Sequence, residues 1–372
     1  MQAVAVWPER RSVDVVEVAA PALGSPLEVR LRMLAVGVCG TDAEICSFSY
    51  GGAPPEGEES LIVGHEAIGL VIETGPEVSR LRTGDLAVPM VRRPCTVPHC
   101  SPCRSGHPDF CVTGEYTERG IKGAHGFLAG EVVEEERYLV AVPPPLREVG
   151  VLTEPLTIAE KALRQFVEVR RRLPWLSTAS EAELLAGGSA VVLGAGAVGI
   201  LGCMLLRQRG FQVVVYSRGR KPNPSAALVE SLGAAYVSSE ETPLVEVSRR
   251  AGAIDLVYEA TGASKLAFDA LQYLGANGVF VFTGVPGRKA RVEIAADAIM
   301  RNLVLRNQTV LGTVNAGRAD YEAAIRDLEL FQAAWPGALA ALITGRYPMS
   351  RFCDRARSHD KIKDVIEPAD AK

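Results

Sequence analysis

Apolar and polar positions change rhythm along the chain. Through about residue 140 the apolar positions come in short runs rich in Val, Ile and Leu. Examples are EVRLRMLAVGV, LIVGHEAIGLVIETG and LAVPMV, parted by Gly, Pro and charged clusters. That rhythm predicts a barrel or sandwich of short strands. Residues 92–126 interrupt it with a Cys-, Arg- and Gly-rich stretch that has neither strand nor helix period.

Near residue 150 the texture changes. TEPLTIAEKALRQFVEVRRRL places Ile158, Ala162, Phe166 and Val167 at helical spacing and basic residues near its end, where a helix favours them. After the looser PWLSTASEAELLAGG, strand and helix patterns alternate. SAVVLGAG leads to AVGILGCMLLRQRG, FQVVVYS to PSAALVESLG, AYV to ETPLVEVSRRAG, and IDLVYEATG to SKLAFDALQYLG, before the strands NGVFVFTG and QTVLGTV. Repeated βα units predict a doubly wound parallel sheet with helices on both faces, so the class is α/β. From about 313 the tail reads as a helix (ADYEAAIRDLELFQAA), a short extended piece and KIKDVIEP. No internal repeat or low-complexity tract is present.

Composition narrows the function. The 372 residues carry 40 Lys and Arg against 44 Asp and Glu, a net charge of −4. That excludes a general nucleic-acid or anionic-membrane binder. A 48% hydrophobic and 23% charged chain is ordinary for a globular protein. The opening MQAVAVWPERR meets charge too early for a signal peptide. Residues 190–206 are uncharged but hold Gly194, Gly196, Gly199 and Gly202, and read as a buried strand running into a buried helix rather than a membrane span. Eight cysteines without a secretory signal point to metal binding in a reducing cytoplasm rather than to disulfides.

VVLGAGAVG spaces Gly194, Gly196 and Gly199 as G-x-G-x-x-G between a strand and a helix, the context a dinucleotide loop requires. The glycines allow the turn, the approach of a pyrophosphate and close helix packing, and the helix N-terminus faces the phosphates. The next strand ends in Ser217, Arg218, Gly219, Arg220 and Lys221. The acid that holds a free ribose 2′-OH is missing there, and guanidinium groups suited to a 2′-phosphate stand in its place.

Two metal sites are expected. Cys95, Cys100, Cys103 and Cys111 crowd into 17 positions and can close a tetrahedral structural zinc site, with His99 an alternative ligand for one thiolate. A dispersed set, Cys39 in VGVCGTD, His65 and Glu66 in VGHEAIG, and Glu154 in VLTEPL, offers the thiolate, imidazole and carboxylate of a catalytic zinc with one open position.

These motifs, in this order over almost the whole chain, resemble the zinc-dependent medium-chain dehydrogenases/reductases. PEGEESLIVGHEAIG, VPMVRRPC, PDFCVTGEYTERGIKGAHGF, EPLTIAEKAL and VLGTVNAG are similar to the archaeal-type glucose 1-dehydrogenase branch. The resemblance implies a GroES-like catalytic domain from residues 1–185 and 313–372, with a zinc lobe at 92–112, and a Rossmann domain inserted at 186–312. It implies a substrate cleft between them. Cys39, His65 and Glu66 match the catalytic-zinc positions, and Glu154 the acid that ligates zinc or binds the sugar. Thr41 matches the hydroxyl residue on the reacting oxygen, with Glu44 continuing its proton relay. Glu115 and Asn315 match sugar contacts. Gly194, Gly196, Ala197, Val198, Gly199, Ser217, Arg218, Thr261 and Asn315 are the implied coenzyme contacts.

The chain departs from the family in its x4 spacing between Cys95 and Cys100, in Val91 where some relatives carry a sugar-binding Asn, and in a less basic start to its phosphate loop. The expected activity is NADP-preferring, NAD-tolerant oxidation of an aldose such as glucose or galactose at C1 to the lactone. Two zincs per chain and a homo-oligomer, a dimer or tetramer, go with it. The rival readings are a zinc-dependent polyol, amino-alcohol or secondary-alcohol dehydrogenase, and a non-catalytic NADPH-binding protein.

Overall fold

The computed structural model describes residues 1–287, 291–353 and 361–368. They divide into two compact units, one of Met1–Thr157, Asn315–Ala333 and Leu339–Lys372, the other of Ile158–Val314 and Ala334–Ala338.

The first unit is built on a seven-stranded sheet. Its order runs Leu139–Val142, Leu86–Pro89, Glu66–Thr74, Glu28–Val38, Lys363–Glu367, Ile343–Pro348, with Glu131–Glu135 also on Glu28–Val38. The long strand Glu28–Val38 alternates buried and half-buried side chains at its start and is almost wholly buried beyond Met33, so it serves as the spine. Leu31, Met33, Val36, Ala67, Val71, Phe127 and Leu128 pack there into one apolar core. The strand Lys363–Glu367 lies antiparallel on that spine, with Val365 opposite Gly37, and so carries the chain's last described segment beside residues 36–38. The segment without a period holds three very short strands, Arg92–Arg93, Thr117–Arg119 and Gly123–Ala124.

The second unit is a six-stranded, fully parallel sheet. Its order is Ala235–Ser238, Gln212–Ser217, Ser189–Leu193, Ile254–Glu259, Leu274–Phe282, Thr309–Gly312. Strand order reverses at Ser189–Leu193, the position where such sheets open a crevice at their carboxyl ends. The uncharged run 190–206 is split between that strand and the helix Ala197–Gln208. Among the described residues no helix is long and apolar enough to cross a membrane.

Two features depart from the sequence pattern. The division falls at 157/158 rather than at 185/186. The helix Thr153–Arg170 explains it, since Phe166 meets the Phe211 ring edge-on at 6.0 Å, Gln165 bonds Thr313 and Arg170 bonds Asp255. A helix also forms at Ala296–Leu305, where the pattern predicts none. Of its residues only Ile299 is buried, while Met300, Val304 and Leu305 are exposed, so no inward stripe marks it in the sequence.

Candidate active site

Within the second unit, a cavity of about 610 Å³ opens at the carboxyl ends of the strands, lined by Gly194, Gly196, Ser217, Arg218, Thr261 and their neighbours. Gly194 has φ +106°, and a Cβ there would meet the Thr261 methyl at 2.8 Å. A Cβ on Gly199 would stand 2.2 Å from the Gly194 carbonyl, so the third glycine is what lets the helix close on the turn. Ala197 and Val198 form the first helical turn, whose N–H groups lack intrahelical partners and suit phosphate. Of the three basic residues after Ser217, Arg220 pairs with Glu240 and Lys221 with Glu230. Arg218 lines the cavity and has no ion pair among the described residues. The Thr261 hydroxyl is already engaged, donating to Glu259 at 2.6 Å and accepting from the Ala263 N–H at 2.9 Å.

The mixed-donor cluster sits in the first unit. Cys39 follows the spine strand and caps the helix Gly40–Cys46, its Sγ accepting the Thr41 N–H at 3.2 Å. The same Sγ lies 3.1 Å from His65 Nε2. On the other side of the ring, His65 Nδ1 is 3.4 Å from Asp42 Oδ1, and Asp42 Oδ2 accepts the Cys39 N–H at 2.9 Å. Asp42 is fully buried and so fixes both the ring and the cap. Antiparallel pairing sets Glu66 opposite Gly37, two residues from Cys39, and Glu154 enters from the first turn of Thr153–Arg170. Ligand atoms of Cys39, Asp42 and His65, and again of His65, Glu66 and Glu154, lie within 4.8 Å of one another. Thiol, imidazole and carboxylates at that spacing fit a zinc ion.

The electrostatics are those of a crowded, buried site. Burial opposes charge on His65, but Cys39 and Asp42 outweigh it and hold the imidazole well above its usual range. Burial pushes Glu154 up to about 7, with His65 pulling down and Glu66 pushing up. Lys363 ion-pairs with Glu66, and both are buried. Thr41 and Glu44 share the short helix, three residues apart and so on one face, both half-buried.

The expected sugar contacts differ in exposure. Glu115 is exposed and Val91 buried. Asn315 is buried in a left-handed conformation (φ +56°). Its Nδ2 donates to Glu118 Oε1 at 2.9 Å and its Oδ1 accepts the Ala316 N–H at 2.8 Å. Arg92 donates twice to the same Glu118 oxygen, at 3.0 and 2.9 Å.

Sequence reasoning passed over Asp42, Lys363, Arg92 and Glu118. Asp42 had a signal, being three residues past a helix cap. Lys363 had none, because its neighbours come from strand pairing across most of the chain.

The four clustered cysteines form their own site. Their sulfurs lie within 4.8 Å of one another, with Cys100 and Cys111 3.8 Å apart. Backbone N–H groups of Cys103 and Val112 hold the Cys100 thiol below its usual range. Burial resists the same change at Cys111, but donors from Thr113 and Gly114 bring it down to about 6. Cys103 is pushed up to about 12 by burial and by neighbouring thiols. The four sulfurs fit a closed zinc site. His99 is exposed and stands outside the group, so the x4 spacing is taken up by residues 96–99 and not by exchange of a ligand.

A family model described as the glucose dehydrogenase C-terminus matches residues 147–368, and one described as the alcohol dehydrogenase GroES-like domain matches 25–144. The glucose 1-dehydrogenases of Methanocella arvoryzae and Thermoproteus tenax are 37% and 38% identical to the chain, each over 99% of both sequences. A structure of Haloferax mediterranei glucose dehydrogenase in complex with NADP, Zn and gluconolactone matches with 36% identity and a TM-score of 0.87, covering 99% of both chains. Galactitol-1-phosphate dehydrogenase from Escherichia coli, 20% identical with a TM-score of 0.78, covers 99% of this chain and 100% of its own and shares the fold.

Proposed function

The chain belongs to the glucose 1-dehydrogenase branch of the zinc-dependent medium-chain dehydrogenases, and from that premise we propose how its own residues divide the work. It is an NAD(P)-dependent dehydrogenase that oxidises an aldose at C1 to the lactone with the help of zinc. The observation that carries this reading is the convergence of Cys39, His65, Glu66 and Glu154 in a chain similar throughout to a protein solved with NADP, Zn and gluconolactone.

Cys39, His65 and Glu66 or Glu154 would hold the zinc, which would supply the Lewis acidity that lowers the hydroxyl pKa, and a nicotinamide bound in the coenzyme cleft would supply the hydride acceptor. Thr41 relays the hydroxyl proton, accepting it at Oγ while its own hydroxyl proton leaves toward Glu44 and solvent. Asp42 holds the His65 ring, as an outer carboxylate holds a ligating imidazole. Glu115 and Asn315 orient the ring hydroxyls. In the coenzyme cleft, Gly194, Gly196 and Gly199 admit the pyrophosphate to the helix N-terminus, and Ser217 and Arg218 read the adenosine ribose. Arg218 lines the cleft without an ion-pair partner among the described residues, which supports NADP preference with NAD tolerated. The closed four-cysteine site supports a second, structural zinc. A cluster of thiols suits the reducing cytoplasm. Exposed Met300, Val304, Leu305 and Val310, on and beside the edge strand Thr309–Gly312, support a homo-oligomer formed through the second unit.

A coenzyme-reduction screen across aldoses, polyols and secondary alcohols tests the reading. Glucose or galactose should reduce NADP faster than NAD. Arg218→Ala should remove most of that preference by raising the KM for NADP about tenfold, with little change for NAD. A polyol or secondary alcohol as the best substrate would contradict the aldose assignment. Equal losses for both coenzymes would contradict the role of Arg218.

A further inference from the structure

The coenzyme cleft rests on a buried acid that the reading above leaves without a task. Glu259 ends the strand Ile254–Glu259, level with Leu193 on one side and Phe282 on the other, and is 1% exposed. Its Oε1 accepts three bonds, from the Thr261 N–H at 2.7 Å, the Thr261 hydroxyl at 2.6 Å and the Gly262 N–H at 2.8 Å. Its Oε2 accepts the Gly284 N–H at 3.1 Å. Its backbone carbonyl takes the Thr283 N–H at 3.1 Å and hydroxyl at 2.6 Å.

One side chain therefore ties together the ends of two strands and the loop between cleft and sheet. The tie reaches the phosphate turn as well, because the Thr261 methyl lies only 2.8 Å from where a Cβ of Gly194 would stand. Residues 260–263 line the cavity, yet the N–H groups of Thr261 and Gly262 turn inward to Glu259. That wall offers coenzyme a shape rather than donors.

We propose that Glu259 is the positioning residue of the coenzyme cleft, holding Thr261 over Gly194 so that the phosphate turn and the 260–263 wall keep a fixed distance. The inference rests on the coenzyme reading above. It acts on the part of the cleft common to both coenzymes, whereas Arg218 acts on the 2′-phosphate alone. Removing Glu259 thus weakens NADP and NAD in the same proportion.

The test is a fluorescence titration of wild type, Glu259→Ala and Glu259→Gln with NADPH and with NADH, beside thermal melting of each protein. Glu259→Ala should weaken both coenzymes about tenfold or more, since several buried donors lose their acceptor. Glu259→Gln keeps the oxygen that takes three of the four bonds, and should stay within about threefold of wild type. If Glu259→Ala does not fold, Thr261→Val decides. It deletes the hydroxyl that Glu259 holds and keeps a methyl, and both dissociation constants should still rise about threefold or more.

Three results would overturn the inference alone: unchanged dissociation constants in folded Glu259→Ala or Thr261→Val, a loss confined to NADPH, or a loss in Glu259→Gln as large as in Glu259→Ala. Wild type that bound neither coenzyme would overturn the coenzyme reading and this inference with it.

Discussion

The two metal-ligand clusters are built by opposite means. The four-cysteine lobe takes all its donors from residues 95–111, and nearby backbone N–H groups tune its thiols. The Cys39 cluster takes its donors from three places, Cys39, His65 with Glu66, and Glu154, with Asp42 and Lys363 around them. A local loop can close four like donors around an ion and leave nothing open. A site that must also admit a substrate needs unlike donors on rigid elements and a supporting layer, here Asp42 and Lys363, that sets each one. On the proposed reading the lobe therefore has a role in stability and the dispersed cluster a role in chemistry.

The sharpest way to break that contrast is to remove a dispersed donor. His65→Ala should lower kcat about a thousandfold or more. NADPH binding should stay near wild type, because the coenzyme cleft is lined by residues of the second unit. A steady-state assay paired with a fluorescence titration checks both halves.

The supporting layer should show itself in stability. Lys363→Met leaves Glu66 buried without its cationic partner, an arrangement that costs about 3–5 kcal/mol. Denaturant unfolding should register that loss. Lys363→Met together with Glu66→Gln should recover a good part of it, because the uncompensated charge is gone.

A smaller effect is expected at Asp42. Asp42→Asn keeps an oxygen for the Cys39 cap and loses the carboxylate that faces His65 Nδ1. Zinc affinity, measured by competition with a chelator, should fall about 10- to 100-fold, with little change in melting temperature.

How much of this was legible in the sequence follows the same division. The glycine loop and the lobe could be read directly, because each is a short contiguous pattern whose spacing states its chemistry. Cys39, His65, Glu66 and Glu154 were visible as individual signals in Gly- and Pro-flanked strings, but only strand pairing such as Gly37 opposite Glu66 brings them together. Lys363 could not be read, since a lysine in KIKDVIEP looks solvated until Val365 is set opposite Gly37. Asn315 could be named but not its bond to Glu118, which Arg92 also holds, because Glu118 and Arg92 lie in a stretch with no period. The helix Ala296–Leu305 went unread for a related reason: Met300, Val304 and Leu305 face outward and only Ile299 is buried, so periodicity had little buried stripe to report.

Chelator titration of the purified protein tests the contrast between the two clusters most directly, following zinc content, turnover and melting temperature on the same samples. Two zincs per chain should be lost, in two stages. Turnover should vanish with the first while the melting temperature holds, and the melting temperature should drop with the second. One zinc per chain in fully active protein, or turnover and melting temperature lost together in a single stage, would contradict that contrast.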